Sequence, residues 1–122
     1  MAAVRYLVND VDAVLPFYES LGFKVVERWG PPFVIVGLGN LQLWLSGPGT
    51  SAAKPLPDGS IPAPGGWNRL VIEVANLDSA MQALRPMGAR FRSEPVDGPG
   101  GRQVIVEDPS GNPIELFQAH GQ

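Results

Sequence analysis

The second half of the chain repeats the first, and this duplication limits the possible folds more than any other sequence feature. Four segments of the first half recur in the same order in the second. The pairs are Val8–Asp12 with Val74–Asp78, Leu21–Lys24 with Met87–Arg90, Phe33–Val36 with Gln103–Val106, and Leu41–Trp44 with Ile114–Phe117. The first two pairs share one offset, 66 residues, without a gap. Coincidence does not explain agreement in four segments, so the sequence predicts two copies of one module.

Each copy is predicted to fold as a strand, a helix and three further strands. Short runs of alternating apolar residues predict the strands, and clusters of Gly, Pro, Asn and Asp predict the turns between them. The first helix is expected to begin at a cap provided by Asn9, Asp10 or Asp12 and to tolerate Pro16 only if it begins near Asp12. Its predicted apolar stripe is Leu15, Tyr18 and Leu21. The stripe of the second helix is Leu77, Ala80, Met81, Leu84 and Met87.

The predicted fold class is α+β, with two tandem βαβββ modules. At 122 residues the chain has the length of one domain. We place module 1 at residues 1–46 and module 2 at residues 67–119, with residues 47–66 between them. This intervening segment is rich in Pro and Gly and is predicted to be a linker or a flap rather than a further element.

Two motifs of the duplicated modules indicate a family. The segment "VNDVDAVLPFYESLGF" and the segment "GRQVIVEDPSGNPIELFQ" resemble the vicinal oxygen chelate superfamily. This group includes glyoxalase I, extradiol dioxygenases, fosfomycin-resistance enzymes and the bleomycin-resistance proteins. The resemblance implies that curved mixed sheets form a cup, and that the protein is a homodimer.

Strand alternation assigns side chains to the two sheet faces. Because successive side chains point to opposite faces, one face is aliphatic and is expected to pack on the helices. The other face mixes polar and aromatic residues, as a small-molecule pocket requires, although a solvated sheet face is the alternative. The predicted ligand-binding residues on this face are Arg5, Phe33, Gln42, Trp44, Arg69, Gln103, Glu115 and Phe117. Trp29 and Trp67 join them because both lie beside Pro/Gly-rich loops, where an aromatic wall can clamp a planar ligand.

The resemblance also implies where a metal would bind. Relatives that use a metal take its ligands from four strand positions, which correspond here to Ala3, Gln42, Arg69 and Glu115. Of these, only Glu115 is a good ligand for a divalent cation, since Ala3 has no donor atom and Arg69 is a fixed cation. The single histidine, His120, is predicted to be a frayed tail residue. We therefore predict no metal and no cofactor.

Composition excludes several other functions. The chain has no Cys, and no Ser is accompanied by a suitable His, so no nucleophilic triad is predicted and no catalytic residue is assigned. A net charge of -3 disfavours a nucleic-acid partner. With neither a signal segment nor a membrane-spanning run expected, the predicted location is cytoplasmic, without a membrane partner.

Two function classes remain open from the sequence. The favoured one is a metal-independent binding protein, closest to the bleomycin-resistance branch, that sequesters an aromatic or peptide-like antibiotic for drug resistance or self-protection. The alternative is an enzyme with a divergent site, such as a glyoxalase-like lyase, an epimerase or a dioxygenase. In that case Glu73 and Glu115 are the candidate acid/base pair, unless Arg5 and Arg69 hold them in structural ion pairs.

Overall fold

The structure is a computed structural model that describes residues 1–121. It contains two compact units, which divide between Pro64 and Gly65. The elements of the first unit are β1 (Val4–Leu7), α1 (Val11–Ser20), β2 (Lys24–Trp29), β3 (Phe33–Leu38) and β4 (Leu41–Ser46). Those of the second are β5 (Leu70–Glu73), α2 (Leu77–Leu84), β6 (Arg90–Phe91), β7 (Val96–Asp97), β8 (Gly101–Glu107) and β9 (Pro113–Ala119).

Each unit contains one mixed sheet with the same topology. The strand order is β1-β4-β3-β2 in the first and β5-β9-β8-β6 in the second, where β7 also pairs with β8. In both, the strand before the helix runs parallel to the last strand, and the remaining pairs are antiparallel. The predicted α+β class and the two modules are confirmed, with one difference: the helix of the second module is followed by four strands rather than three, because two short strands, β6 and β7, pair with β8.

Of the stripe predicted for helix α1, only Tyr18 is buried. Its buried residues are Val11, Val14, Phe17 and Tyr18. Leu15 and Leu21 are only half-buried. The prediction overlooked the β-branched residues at the start of the helix. Asp10 is the N-cap, and its carboxylate accepts a hydrogen bond from the backbone of Asp12 at 3.0 Å.

Helix α2 buries three of the five residues of its predicted stripe. Leu77, Met81 and Leu84 are buried. Met87 lies beyond the helix, in a single 3₁₀ turn, and is exposed. Gly88 ends this turn with a φ of 74°, a conformation that favours glycine. The stripe packs on the aliphatic face of the second sheet, whose buried residues are Ile72, Val104, Val106, Ile114 and Leu116.

The turn between β8 and β9 is built around a buried carboxylate. Asp108 is 2% exposed and accepts hydrogen bonds from the backbone of Ser110 at 2.8 Å and of Asn112 at 3.0 Å. The side-chain oxygen of Asn112 in turn accepts from the backbone of Gly65 at 2.9 Å. The turn therefore fixes both the hairpin and the approach of the chain to β5.

His120 is not a frayed tail residue. Its backbone N–H donates to Gly100 at 3.0 Å, and its ring nitrogen Nε2 lies 3.0 Å from the carbonyl oxygen of Gly98. These contacts hold the glycine-rich segment before β8, where Gly98 donates to Gly101 at 2.8 Å. No sequence pattern indicates these contacts, because a residue near a chain end is expected to be mobile.

The linker predicted at residues 47–66 contains one 3₁₀ turn, Ser51–Ala53, and the boundary between the two units falls inside it. Over residues 1–121, neither helix has the length and apolar character needed to cross a bilayer.

Gly101 is expected to tolerate no side chain. A Cβ built there would overlap the carbonyl oxygen of Gln118 and the Cα of Ala119, both backbone atoms of β9. We predict that Gly101→Ala lowers the free energy of unfolding by about 1–3 kcal/mol, the usual cost of overpacking. Urea denaturation measures this change.

Gly100→Ala is the matched control for this substitution. Its Cβ would meet only the ring of Phe117, at an ordinary contact distance of 3.6 Å. Equal stability of the two variants would contradict the close approach of β8 and β9 at Gly101.

Candidate functional site

The polar and aromatic face of the first sheet is organised in rows across its strands. In β1 and β4, which are parallel, Arg5 pairs with Trp44. In the antiparallel pair β3 and β4, Ile35 pairs with Trp44 and Phe33 with Ser46. These side chains share one face because they alternate with the buried aliphatic ones. The face assigned from the sequence is therefore present in this unit.

Arg5, Phe33, Gln42 and Trp44 form one cluster on this face. The guanidinium of Arg5 lies 5.2 Å from the ring centre of Trp44 and 6.0 Å from that of Phe33. The two rings meet edge to face at 5.9 Å. The indole N–H of Trp44 donates to Gln42 Oε1 at 3.2 Å. We call these four residues the aromatic wall.

Ser46 fixes the position of Arg5 in the aromatic wall. Arg5 Nη1 donates to Ser46 Oγ at 3.0 Å, and Ser46 is fully buried. Within residues 1–121, Arg5 forms no ion pair. The cation is therefore held by a neutral oxygen and by two ring faces, and its charge remains available to a ligand.

Besides Asp108, the second unit contains a buried carboxylate in β9, that of Glu115. It is 8% exposed and lies between Val71 of β5 and Ile105 of β8. Two nitrogens of Arg69 hold it, with Nε donating to Oε1 at 3.0 Å and Nη2 lying 2.9 Å from the same oxygen. Arg69 Nη1 also donates to the carbonyl of Trp67 at 3.1 Å. The carboxylate thus has a cation as its partner.

A second ion pair on this face was not found from the sequence. Arg92 Nε donates to Glu107 Oε2 at 2.8 Å, and the Trp67 ring covers the Arg92 guanidinium at 4.5 Å. Both partners of the pair are mostly buried. Strand alternation could have indicated Glu107, which has the same parity as Gln103. Nothing in the sequence places Trp67 over Arg92, because that contact depends on the path of the segment before β5.

The remaining predicted site residues lie in different surroundings. Phe117 is half-buried in β9, opposite Glu73 and Gln103. Trp29 ends the edge strand β2 and is 64% exposed. Their contact with a ligand stays a prediction.

The strand register in the structure corrects the sequence alignment of the two modules. Arg5 pairs with Trp44 in the first unit, and its repeat counterpart Val71 pairs with Glu115 in the second. Trp44 also pairs with Ile35, and Glu115 with Ile105, which are counterparts in the repeat. The counterpart of Glu115 is therefore Trp44 rather than Gln42. By the same register Phe117 corresponds to Ser46, so the predicted equivalence of Trp44 and Phe117 is wrong.

The donor set does not fit a metal ion. With the corrected register, the four positions carried over from the family hold Ala3, Trp44, Arg69 and Glu115. Neither Ala3 nor Trp44 offers a lone pair for a metal, and Arg69 places a positive charge 2.9 Å from the one carboxylate. Over residues 1–121, no three His, Cys, Asp or Glu side chains gather as a metal site would require.

Comparison with known proteins identifies the class. The model of the Glyoxalase/Bleomycin resistance protein/Dioxygenase superfamily matches residues 1–116. This chain belongs to that superfamily, which is the vicinal oxygen chelate superfamily that the sequence resembles.

Individual relatives are distant. A protein of Mycolicibacterium smegmatis described as uncharacterized is 26% identical over 109 residues, which are 89% of this chain and 84% of that protein. A glyoxalase/bleomycin resistance protein/dioxygenase family enzyme from Burkholderia phytofirmans has a similar structure, with a TM-score of 0.80, 19% identity and 96% of each chain covered. A genomically encoded fosfomycin resistance protein from Listeria monocytogenes gives a TM-score of 0.72 at 11% identity, covering 99% of this chain and 93% of the other. At these identities the two structures show the shared fold alone.

Removing one partner of the Arg69–Glu115 pair should destabilise the folded protein more than removing both partners. Arg69→Met leaves the buried carboxylate unpaired, and we predict a loss of about 1–3 kcal/mol in the free energy of unfolding. The double variant Arg69→Met/Glu115→Met should recover most of that loss, because it removes the buried charge as well. Chemical denaturation of the parent, the single variant and the double variant measures this.

Arg28→Met is the control for loss of an arginine. Arg28 pairs with Asp12 at 2.9 Å, but that carboxylate is largely exposed. Solvent screening should keep the cost below about 1 kcal/mol. If Arg69→Met lowers the free energy of unfolding no more than Arg28→Met does, Glu115 does not depend on Arg69 as its partner.

Proposed function

We propose that the chain is a metal-independent binding protein of its superfamily. It sequesters an aromatic or peptide-like small molecule, such as an antibiotic, and releases it chemically unchanged. The superfamily's own description includes bleomycin resistance proteins, and a fosfomycin resistance protein shares the fold. These likenesses support the class of function, while the choice within it depends on the site.

The aromatic wall is the observation that carries this proposal. Trp44 and Phe33 offer ring surface, and Arg5 and Gln42 offer polar groups at its edge. A planar ring packed there would gain roughly 1 kcal/mol from aromatic contact beyond the burial of area. Hydrogen bonds from the polar groups would orient the ligand.

The site favours binding over catalysis. Glu115 is a buried carboxylate at one of the family's metal-ligand positions. Two nitrogens of Arg69 contact one of its carboxylate oxygens. An acid/base role would require Glu115 to leave Arg69 while remaining buried, which is costly. A divergent lyase, epimerase or dioxygenase remains the alternative that mass spectrometry of the recovered ligand distinguishes.

Trp44→Ala should weaken ligand binding by about tenfold or more, which corresponds to about 1.4 kcal/mol. Trp44→Phe keeps a ring in the aromatic wall and should retain most of the affinity. The ligand is first chosen as the compound with the largest thermal shift in a panel of aromatic and peptide-like antibiotics. Calorimetric titration in the presence of EDTA then compares the parent with the two variants.

Equal affinity of the parent and Trp44→Ala would remove the aromatic wall from the site. Binding that disappears in EDTA would overturn metal independence. A covalently altered ligand after incubation would show that the protein is an enzyme.

We also propose that the chain forms a homodimer. The edge strand β2 leaves all six of its residues exposed, among them Val25, Val26 and Trp29. An exposed apolar edge strand favours association with another chain. A second copy of the chain is the partner that this proposal names.

Sedimentation at micromolar concentration should give twice the 13.0 kDa chain mass. Val26→Lys should shift the protein toward monomer, because it places a charge on the exposed edge. Val96→Lys, at another exposed valine in β7, is the control and should leave the dimer intact. A monomeric parent protein would contradict the proposal.

A further inference from the structure

The second unit contains a cavity of about 540 Å³ whose charges are unbalanced. It is lined by Gly66, Trp67, Arg90, Phe91, Arg92 and Glu107. Glu107 is the only carboxylate in this lining, and its Oε2 is bonded to Arg92 Nε at 2.8 Å. Arg90 forms no ion pair among residues 1–121. The lining therefore carries two guanidinium groups against one carboxylate.

Arg92 also has an unused hydrogen-bond donor. Its Nη1 is buried and has no hydrogen-bond partner in the described part of the chain. A buried donor on a charged group is costly to leave unpaired, so an acceptor at this position would be favourable. The Glu107 bond fixes the guanidinium through Nε and leaves Nη1 without a partner.

Trp67 covers this arginine, and most of its own surface is exposed. Its ring lies 4.5 Å from the Arg92 guanidinium, yet the residue is 69% exposed. Displacing so exposed a ring disturbs few neighbours, and the displaced ring can then pack against a planar ligand. Phe91 supplies further apolar surface in the same lining.

We propose that this cavity binds the carboxylate of an aromatic ligand. One carboxylate oxygen accepts from Arg92 Nη1, Arg90 adds a second positive charge, and Trp67 closes over the aromatic ring. The proposal rests on the proposed function, since it names an anionic group for the ligand class given above. It is tested separately, because the aromatic wall lies on the first sheet and contains Trp44.

The probes are 2-naphthoate and 2-naphthamide, which share a ring system and differ in charge. The chain has three tryptophans, so the nitrogen–proton correlation spectrum contains three indole signals, assigned with Trp67→Phe and Trp44→Phe. We expect 2-naphthoate to shift the Trp67 signal and to bind about tenfold more tightly than 2-naphthamide, as a charge-assisted hydrogen bond would produce.

Arg90→Gln is the test variant, because Arg90 is exposed and its loss should not disturb folding. It should reduce the preference for 2-naphthoate several-fold. Arg28→Gln removes the same charge from the first unit, outside the cavity, and should leave the preference unchanged. Arg92→Lys keeps the charge but changes the donor geometry, and it should also lose affinity for 2-naphthoate.

Three results would overturn the proposal. They are equal affinity for the two probes, an unmoved Trp67 signal on adding 2-naphthoate, and equal effects of Arg90→Gln and Arg28→Gln. Failure of the proposed function has a different signature, namely an antibiotic affinity that Trp44→Ala leaves unchanged. A response of Trp67 to 2-naphthoate without one of Trp44 would support the carboxylate site, and the antibiotic titration of Trp44→Ala decides the aromatic wall.

Discussion

The second unit depends on the contact between Arg69 and Glu115. Glu115 lies in β9 among core residues, where an unpaired carboxylate would be strongly destabilising. Arg69 enters from the start of β5, the strand parallel to β9, and bonds to one oxygen through two nitrogens. A metal ion and an arginine are alternative partners for such a carboxylate, and this chain has the arginine. This difference is the physical basis of our proposal that the chain functions without a metal.

The mixed polar and aromatic faces of the two sheets differ in chemistry. The first presents ring surface, with the Arg5 cation held against Trp44 and Phe33. The second presents charge, with two arginine–glutamate pairs and Trp67 over one of them. A duplicated module would begin with two equivalent faces. In this chain Trp44 stands where the second copy has Glu115, so the copies now offer different chemistry to a ligand.

The sequence predicted the duplication and the fold class, because four segments recur in the same order in both halves. It also predicted an aliphatic and a mixed face for each sheet, because side chains alternate along a strand. It did not predict the register between modules. In the second module five residues separate the paired residues Glu107 and Pro113, whereas in the first module four separate the paired residues Gly37 and Gln42. Aligning separate segments of the sequence does not show this difference in turn length. The Arg92–Glu107 pair and the position of Trp67 were also missed, since they depend on tertiary contacts between separate strands and the segment before β5.

Elemental analysis tests the central claim most directly, namely that Arg69 has replaced a metal as the partner of Glu115. The protein is incubated with Zn²⁺, Ni²⁺, Fe²⁺ or Mn²⁺, passed through a desalting column, and its metal content measured. The account predicts far less than one ion per chain, because Ala3 and Trp44 offer no ligand atoms and Arg69 repels a cation. About one tightly held ion per chain would contradict it, since such binding requires three or four ligands of the usual kinds.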